Sequence, residues 1–150
     1  MQIVRMNKDH YEEVLKMMRV FYDSPAVLYT APDKILRNDI DACIGDCPFL
    51  DGYVFLEDGE IAGYAMVSLN FTTEYGGMCA WLEDLYIRPE FRRKGISRQF
   101  LEELPKLYPD LVRFKIEVEP ENGRAIETYK KCGFSKLGYD IMDRVIEKDD

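Results

Sequence analysis

One stretch near the middle of the chain restricts the fold more than any other. An apolar, strand-like run at residues 81–87 is followed by a short basic loop and then by a helix-like run at residues 99–104. An alternating apolar run at residues 112–118 comes next. Strand, loop, helix and strand in this order predict a helical crossover, which joins parallel strands. Ligands of such sheets bind at the carboxyl ends of the parallel strands, which is where the basic loop lies.

The loop has the chemistry of an anion-binding site. It carries four positive charges and no acid, in a chain with a formal net charge of -8. The following helix begins with unpaired N–H groups, and Gly95 lets a bulky anion approach the backbone. Lys94 precedes Gly95, whereas a P-loop has the opposite order, and the sequence lacks the three-glycine dinucleotide fingerprint. We therefore expect a phosphate-bearing ligand other than an NTP or a dinucleotide.

The bulk composition indicates one globular domain over residues 1–150. The hydrophobic content of 47% fits a packed core, and no apolar run approaches the ~20 residues that span a bilayer. The four cysteines form no CxxC pair, so we expect reduced thiols, a cytoplasmic location and no bound metal. The acidic balance argues against a nucleic-acid partner and favours a cationic substrate. The single histidine, His10, lies in a polar stretch, which argues against Ser-His-Asp chemistry.

Hydrophobic periodicity predicts the order βααβββαβαβ. Strands are expected at residues 2–6, 53–56, 61–69, 78–87, 112–118 and 135–146. Helices are expected at residues 9–22 and 33–46, from the basic loop to about Tyr108, and at residues 120–131. This order predicts an α+β fold with a mixed, mostly antiparallel sheet that is flanked by helices on both faces.

A second motif lies downstream of the loop: Asn122, then a helix that carries Tyr129, then Gly133-Phe134. Asn122 and Tyr129 are two helical turns apart, so they share one face. Together the two motifs resemble the GNAT N-acetyltransferase superfamily, and the resemblance extends over residues 2–146. The family's loop ends in Gly or Ala where this chain has Ser97. The strand segment at residues 82–87 resembles that of spermidine/spermine N-acetyltransferases.

The resemblance implies an enzyme that transfers the acetyl group of acetyl-CoA directly to a primary amine, such as a small polyamine-like molecule. In the family the loop holds the CoA pyrophosphate, while the Asn and the Tyr contact the pantetheine arm and the sulfur. A homodimer is a candidate assembly. The residues that the resemblance assigns to acetyl-CoA are Leu85, Tyr86, Ile87, Arg92, Arg93, Lys94, Gly95, Ile96, Ser97, Arg98, Asn122 and Tyr129.

Two side chains are candidates for the proton transfers. An ordinary thiol pKa near ~8.5 and a tyrosine pKa near ~10 would let Tyr129 protonate the leaving sulfur. Glu83 interrupts an apolar strand and is the candidate base, with Asp84 or a water chain as alternatives. Strict alternation would place Glu83 on one face with Trp81, Leu85 and Ile87. A backbone N–H at the end of this strand is expected to meet the oxyanion.

Other functions remain open at this point. A catalytically silent acyl-CoA-binding or regulatory domain would share the loop and the Asn122 motif. A nucleotide- or phosphate-binding module would share the loop alone. An acetyltransferase of peptide or protein amines would share every motif, because the regions expected to select the acceptor, residues 24–47 and the turn at residues 72–78, have no readable motif.

Overall fold

The computed structural model describes residues 1–148, and it contains a five-stranded sheet with four α-helices. Two single turns of 3₁₀ helix, Lys8–His10 and Pro89–Phe91, precede α1 and the basic loop. The main elements in chain order are β1 Gln2–Arg5, α1 Tyr11–Tyr22, α2 Asp33–Ile44, β2 Leu50–Glu57, β3 Glu60–Thr72, β4 Gly77–Ile87, α3 Ile96–Leu107, β5 Arg113–Ile116 and α4 Gly123–Lys131. The predicted α+β class is confirmed, although a final strand is not formed.

The strands lie in sequence order across the sheet, β1 to β5, and every neighbouring pair is antiparallel except β4 and β5. The predicted parallel crossover through α3 is therefore confirmed. The β4–β5 pairing runs only from Cys79 opposite Arg113 to Leu82 opposite Ile116. Because β4 continues to Ile87, its last residues have no strand partner on the β5 side.

The helices bury the two faces of the sheet in separate apolar clusters. The cluster under α1 and α2 includes Tyr64, Met66 and Tyr86 from the sheet. The cluster under α3 includes Ala65, Val67, Leu82 and Ile87. The helices α1, α2 and α3 each contribute one buried apolar stripe, as helical periodicity requires. In α1 the buried side chains are Val14, Leu15, Met17, Met18 and Phe21.

A β-bulge at Glu83 overturns the predicted strand alternation. The register moves from Met66 opposite Asp84 to Val67 opposite Leu82, so Glu83 is one extra residue in β4. Leu82 and Leu85 therefore both pack on the α3 side, where strict alternation would have separated them. Glu83 instead reaches Ser68 across the sheet and does not share the face of Leu85.

The strand predicted at residues 135–146 is also wrong for the single chain. Residues 134–148 have no regular secondary structure, and residues 135–148 are exposed. One side-chain hydrogen bond ties this segment to the sheet, from the Tyr139 hydroxyl to Glu74 at 3.1 Å. The segment lacks a backbone partner among the described residues, which explains why its alternating sequence does not become a strand here.

Candidate active site

A cleft of about 1150 Å³ opens where β4 and β5 part. Its walls are the carboxyl end of β4, the basic loop with the start of α3, the end of β5, and one face of α4. The loop between α1 and α2 closes one side with Val27, Leu28 and Tyr29. Of the residues that the sequence assigned to acetyl-CoA or catalysis, all except Lys94 line this cleft. The structure therefore brings two motifs together that are separated by over twenty residues in the sequence.

The basic loop presents backbone N–H groups to the cleft. Arg93 and Gly95 both adopt the left-handed conformation, with φ of 64° and 78°. Gly95 is the N-cap of α3, and no side chain caps the helix. The first N–H groups of α3 are therefore available to an anion, and the helix dipole favours negative charge at this position.

The four cations of the loop are not equivalent. Arg92 donates from Nε to the carbonyl oxygen of Ile87 at 2.9 Å, which fastens the loop to the end of β4. Arg98 forms an ion pair with Glu102 at 2.8 Å, so the next helical turn partly neutralises it. The ammonium group of Lys94 lies over the ring of Phe91, 5.2 Å from its centroid. Arg93 is exposed and forms no ion pair with any residue that the structure describes.

The end of β4 offers backbone groups for an extended ligand. Leu85, Tyr86 and Ile87 lie beyond the last residue pair of β4 and β5, so their backbone on the β5 side is unpaired by a strand. A linear amide ligand can hydrogen-bond to such an edge as an added strand would. The bulge at Glu83 directly precedes these residues and marks where the two strands diverge.

Asn122 and Tyr129 line the opposite wall. Asn122 is the N-cap of α4, where its side-chain oxygen accepts from the backbone N–H of Ala125 at 3.3 Å. The ring of Tyr129 packs edge-on against Phe134, which fixes its direction. Burial raises the pKa of Tyr129 above its ordinary value, so the hydroxyl holds its proton at neutral pH.

The two carboxylates of β4 have different surroundings. Glu83 is exposed, lines the cleft and accepts a hydrogen bond from Ser68 at 2.7 Å. Asp84 is 2% exposed and accepts from the hydroxyls of Tyr22 and Tyr64 at 2.8 and 2.7 Å. Burial raises the pKa of Asp84 to about 6, although both tyrosine hydrogen bonds lower it.

Three residues of this region were not identified by the sequence analysis. Tyr22 and Tyr64 hold Asp84, and the charge of Asp39 on α2 contributes to the raised pKa of Asp84. Burial, and then the charge of Glu83, raises the pKa of Asp39. No local pattern marks these residues, since each reaches the site through tertiary packing.

Comparison with known proteins agrees with this geometry. Residues 13–134 match the acetyltransferase (GNAT) family. The chain belongs to this family. A thialysine N-epsilon-acetyltransferase from Caenorhabditis elegans is 30% identical over 142 residues, which cover 91% of this chain and 84% of that protein.

Two solved structures share the fold of this chain. A possible acetyltransferase from Clostridium difficile 630 superposes with a TM-score of 0.85 at 17% identity, covering 98% of both chains. The aminoglycoside N-acetyltransferase AAC(6')-Iy, in complex with CoA, superposes with a TM-score of 0.79 at 19% identity, covering 96% of this chain and 93% of that one. At these identities the likeness shows the fold alone.

This GNAT protein is an acetyl-CoA-dependent N-acetyltransferase, as its sequence motifs predicted. The loop and the start of α3 bring free N–H groups and cationic side chains together at the cleft, and this is the chemistry that binds a pyrophosphate group. Within residues 1–148, no helix has the length and apolar character that crossing a bilayer requires.

Proposed function

We propose that this enzyme acetylates the primary amine of a small cationic acceptor, such as a diamine or an amino acid with an amino side chain. Three carboxylates lie together beside the cleft, and their negative charges contribute to the raised pKa values of two of them, Asp39 and Asp84; the third is Glu83. None of them forms an ion pair with a described lysine or arginine. A cationic acceptor would supply the missing countercharge, and the relative that acts on thialysine is consistent with this class.

In the proposed reaction the acceptor nitrogen attacks the acetyl carbonyl carbon, the C–S bond breaks, and the sulfur takes a proton. Tyr129 is the proposed donor to the sulfur, because it lines the cleft and remains protonated. Glu83 is the proposed base for the acceptor ammonium, because its carboxylate is accessible in the cleft. A backbone N–H near Leu85 is proposed to stabilise the oxyanion.

Asp84 is a weaker candidate for the base. Burial raises its pKa to about 6, toward neutral pH, but the side chain is out of reach of a substrate, and its two oxygens accept hydrogen bonds from Tyr22 and Tyr64. We therefore propose that Asp84 positions the β4 bulge and adds to the negative electrostatic potential near Glu83. The alternative base, a water chain, would leave Glu83 dispensable.

One observation carries the proposal: the gap between β4 and β5 has an anion-binding loop at one end and an accessible carboxylate at the other. The test is a CoA-release assay with acetyl-CoA and a panel of diamines, lysine analogues, aminoglycosides and peptides. We expect the highest kcat/KM for a small amine with a second polar or cationic group. Preference for peptide amines would instead favour a protein acetyltransferase, and no release with any amine would favour a silent acyl-CoA-binding domain.

The base is tested by the pH–rate profile of Glu83→Gln with one good amine. The loss of kcat/KM should be largest near neutral pH and should shrink as the pH approaches the pKa of the amine, because solvent then deprotonates the acceptor. Ser68→Ala is the matched control, since it removes the hydrogen bond to Glu83 and leaves the carboxylate. A Glu83→Gln profile parallel to that of the unchanged enzyme would contradict the assignment.

We propose further that residues 1–150 form one domain, that the enzyme acts in the cytoplasm, and that it is a homodimer. The location is supported by the cysteines, all four of which are free thiols. The dimer is supported by the outer edge of β5 and by residues 135–148, neither of which has a strand partner within residues 1–148.

A further inference from the structure

The helices leave part of the sheet beside the cleft only half covered. Ser68 on β3, Trp81 on β4 and Lys115 on β5 lie opposite one another, so they form one row across three strands. In the neighbouring row, Leu69 and Phe114 pack into the apolar cluster under α3. Successive side chains of a strand point to opposite faces, so the row of three points to the α1 and α2 side. All three are half-buried, and none belongs to the apolar cluster under those helices.

This row borders the cleft at both of its ends. The hydroxyl of Ser68 donates to the carboxylate of Glu83 at 2.7 Å, and Glu83 lines the cleft as the proposed base. On β5, Ile116 directly follows Lys115 and also lines the cleft. The row therefore has a carboxylate at its β3 end and an ammonium group at its β5 end.

The ammonium group of Lys115 is available to an anion. It lies over the ring of Trp81, 5.0 Å from the centroid, and forms no ion pair with a residue that the structure describes. A cation–π contact of this kind directs the group without neutralising it. The hydrogen bond from Arg113 lowers the pKa of Glu74, and the charge of Lys115 adds to that shift. Glu74 is already paired with Arg113 at 3.1 Å, so Lys115 keeps its capacity to bind a carboxylate.

The charges along the row are complementary to a ligand with an amine at one end and an anion at the other. Neighbouring strands lie about 4.8 Å apart, which places the backbones of Ser68 and Lys115 about 10 Å apart. The Lys115 side chain reaches back over Trp81, which shortens the distance that a ligand must span. Between the two charges, the Trp81 ring offers an apolar surface to a short aliphatic chain.

We propose that Lys115 selects an acceptor that carries a carboxylate as well as the reacting amine. Its ammonium group would pair with the carboxylate, the aliphatic chain would lie on Trp81, and the amine would be placed at Glu83. The inference rests on the proposed acetyl transfer and narrows its acceptor from diamines to amino acids with an amino side chain. A diamine has no anion for Lys115, and its second ammonium group would be repelled there.

The test measures kcat/KM with free L-lysine and with cadaverine, which has the same carbon chain without the carboxylate. The unchanged enzyme should favour L-lysine at least about tenfold, as one charged hydrogen bond allows. Lys115→Met should lower this ratio at least about tenfold, mainly through a higher KM for L-lysine, whereas Lys115→Arg keeps the charge and should retain most of it. Lys8→Met removes an exposed charge from the turn before α1 and should leave the ratio unchanged. A preference of the unchanged enzyme for cadaverine, or equal ratios in Lys115→Met and Lys8→Met, would overturn the proposal.

Trp81 is the only tryptophan of the chain, so its fluorescence measures binding at the row without turnover. With CoA present, L-lysine should change the emission with a Kd at least about tenfold below that of cadaverine, and Lys115→Met should remove the difference. Selective binding without acetylation of either amine would contradict the acetyl transfer alone. Acetylation of both amines with an unchanged ratio in Lys115→Met would contradict the role of Lys115 alone, and an emission that neither amine changes would overturn the row as a binding surface.

Discussion

Removing the buried negative charge at Asp84 should stabilise this protein at neutral pH. Burial raises the pKa of Asp84 from 3.8 to about 6 in the folded state. A difference of ~2 pKa units corresponds to about 3 kcal/mol. This is the free energy by which folding favours the protonated form of Asp84 over the ionised form, relative to the unfolded chain. The folded state binds this proton more tightly than the unfolded state does, so by proton linkage the contribution of Asp84 to the free energy of unfolding is highest below pH 3.8 and declines as the pH rises from 3.8 through 6.

Asp84→Asn keeps the size of the side chain and is neutral at every pH. The substitution should therefore raise the free energy of unfolding by about 3 kcal/mol at pH 8 and by about 1 kcal/mol at pH 4.5. If one tyrosine hydrogen bond is lost, both gains should be smaller by about 1 kcal/mol. Urea unfolding at these two values measures the free energy of unfolding of the variant and of the unchanged protein. The advantage of the variant should fall by about 2 kcal/mol from pH 8 to pH 4.5.

Two further variants serve as checks. Tyr64→Phe removes a hydrogen bond that lowers the pKa of Asp84, so it should destabilise the protein more at pH 8 than at pH 4.5. Asp46→Asn changes an exposed carboxylate and should alter stability by less than ~0.5 kcal/mol. The reasoning is refuted if the difference in free energy of unfolding between Asp84→Asn and the unchanged protein is the same at both pH values. It is also refuted if the advantage of the variant becomes smaller as the pH rises.

Three other predictions concern the cleft and the strands that form it. In a calorimetric titration, Arg93→Ala should weaken CoA binding by ~1.5–3 kcal/mol and leave the binding of a pantetheine fragment unchanged. Arg98→Ala should weaken CoA binding by less, because Glu102 already pairs with the charge of Arg98. Tyr129→Phe should lower kcat ten- to a thousandfold, by about 1.4–4 kcal/mol, and leave the acetyl-CoA Kd nearly unchanged; a comparable rise in Kd would instead indicate a binding role. Gly63→Ala should destabilise the protein by ~2 kcal/mol or more in urea unfolding, because the new Cβ would lie 2.2 Å from the carbonyl oxygen of Tyr86, while Gly123→Ala, in open space, should be neutral or stabilising.

The elements around the cleft could be predicted from local sequence. Apolar periodicity located α3 and α4, and Pro109 limited α3, which ends at Leu107. The order strand, loop, helix and strand predicted the parallel pair and hence the position of the cleft. The helices depend on interactions within a few residues, and the parallel pairing follows from the order of the elements, so a single sequence contains both signals.

Features that depend on tertiary pairing could not be predicted in the same way. The bulge at Glu83 adds one residue to β4, and alternation alone cannot show which residue is extra. The tyrosines that hold Asp84 lie 62 and 20 residues away in the chain. Residues 135–146 alternate as a strand does, but a strand also needs a neighbouring strand to pair with, and the sequence alone does not identify that neighbour.

The bulge at Glu83 gives β4 two binding surfaces that share one backbone. In the proposed complex, the residues after the bulge would bind acetyl-CoA along their free edge, while Glu83, which accepts a hydrogen bond from Ser68, would face the amine. A ligand that holds this backbone still on one side also restricts the carboxylate on the other. The affinities of the two substrates are then linked, and linkage is reciprocal: whatever factor acetyl-CoA adds to amine binding, the amine adds to acetyl-CoA binding.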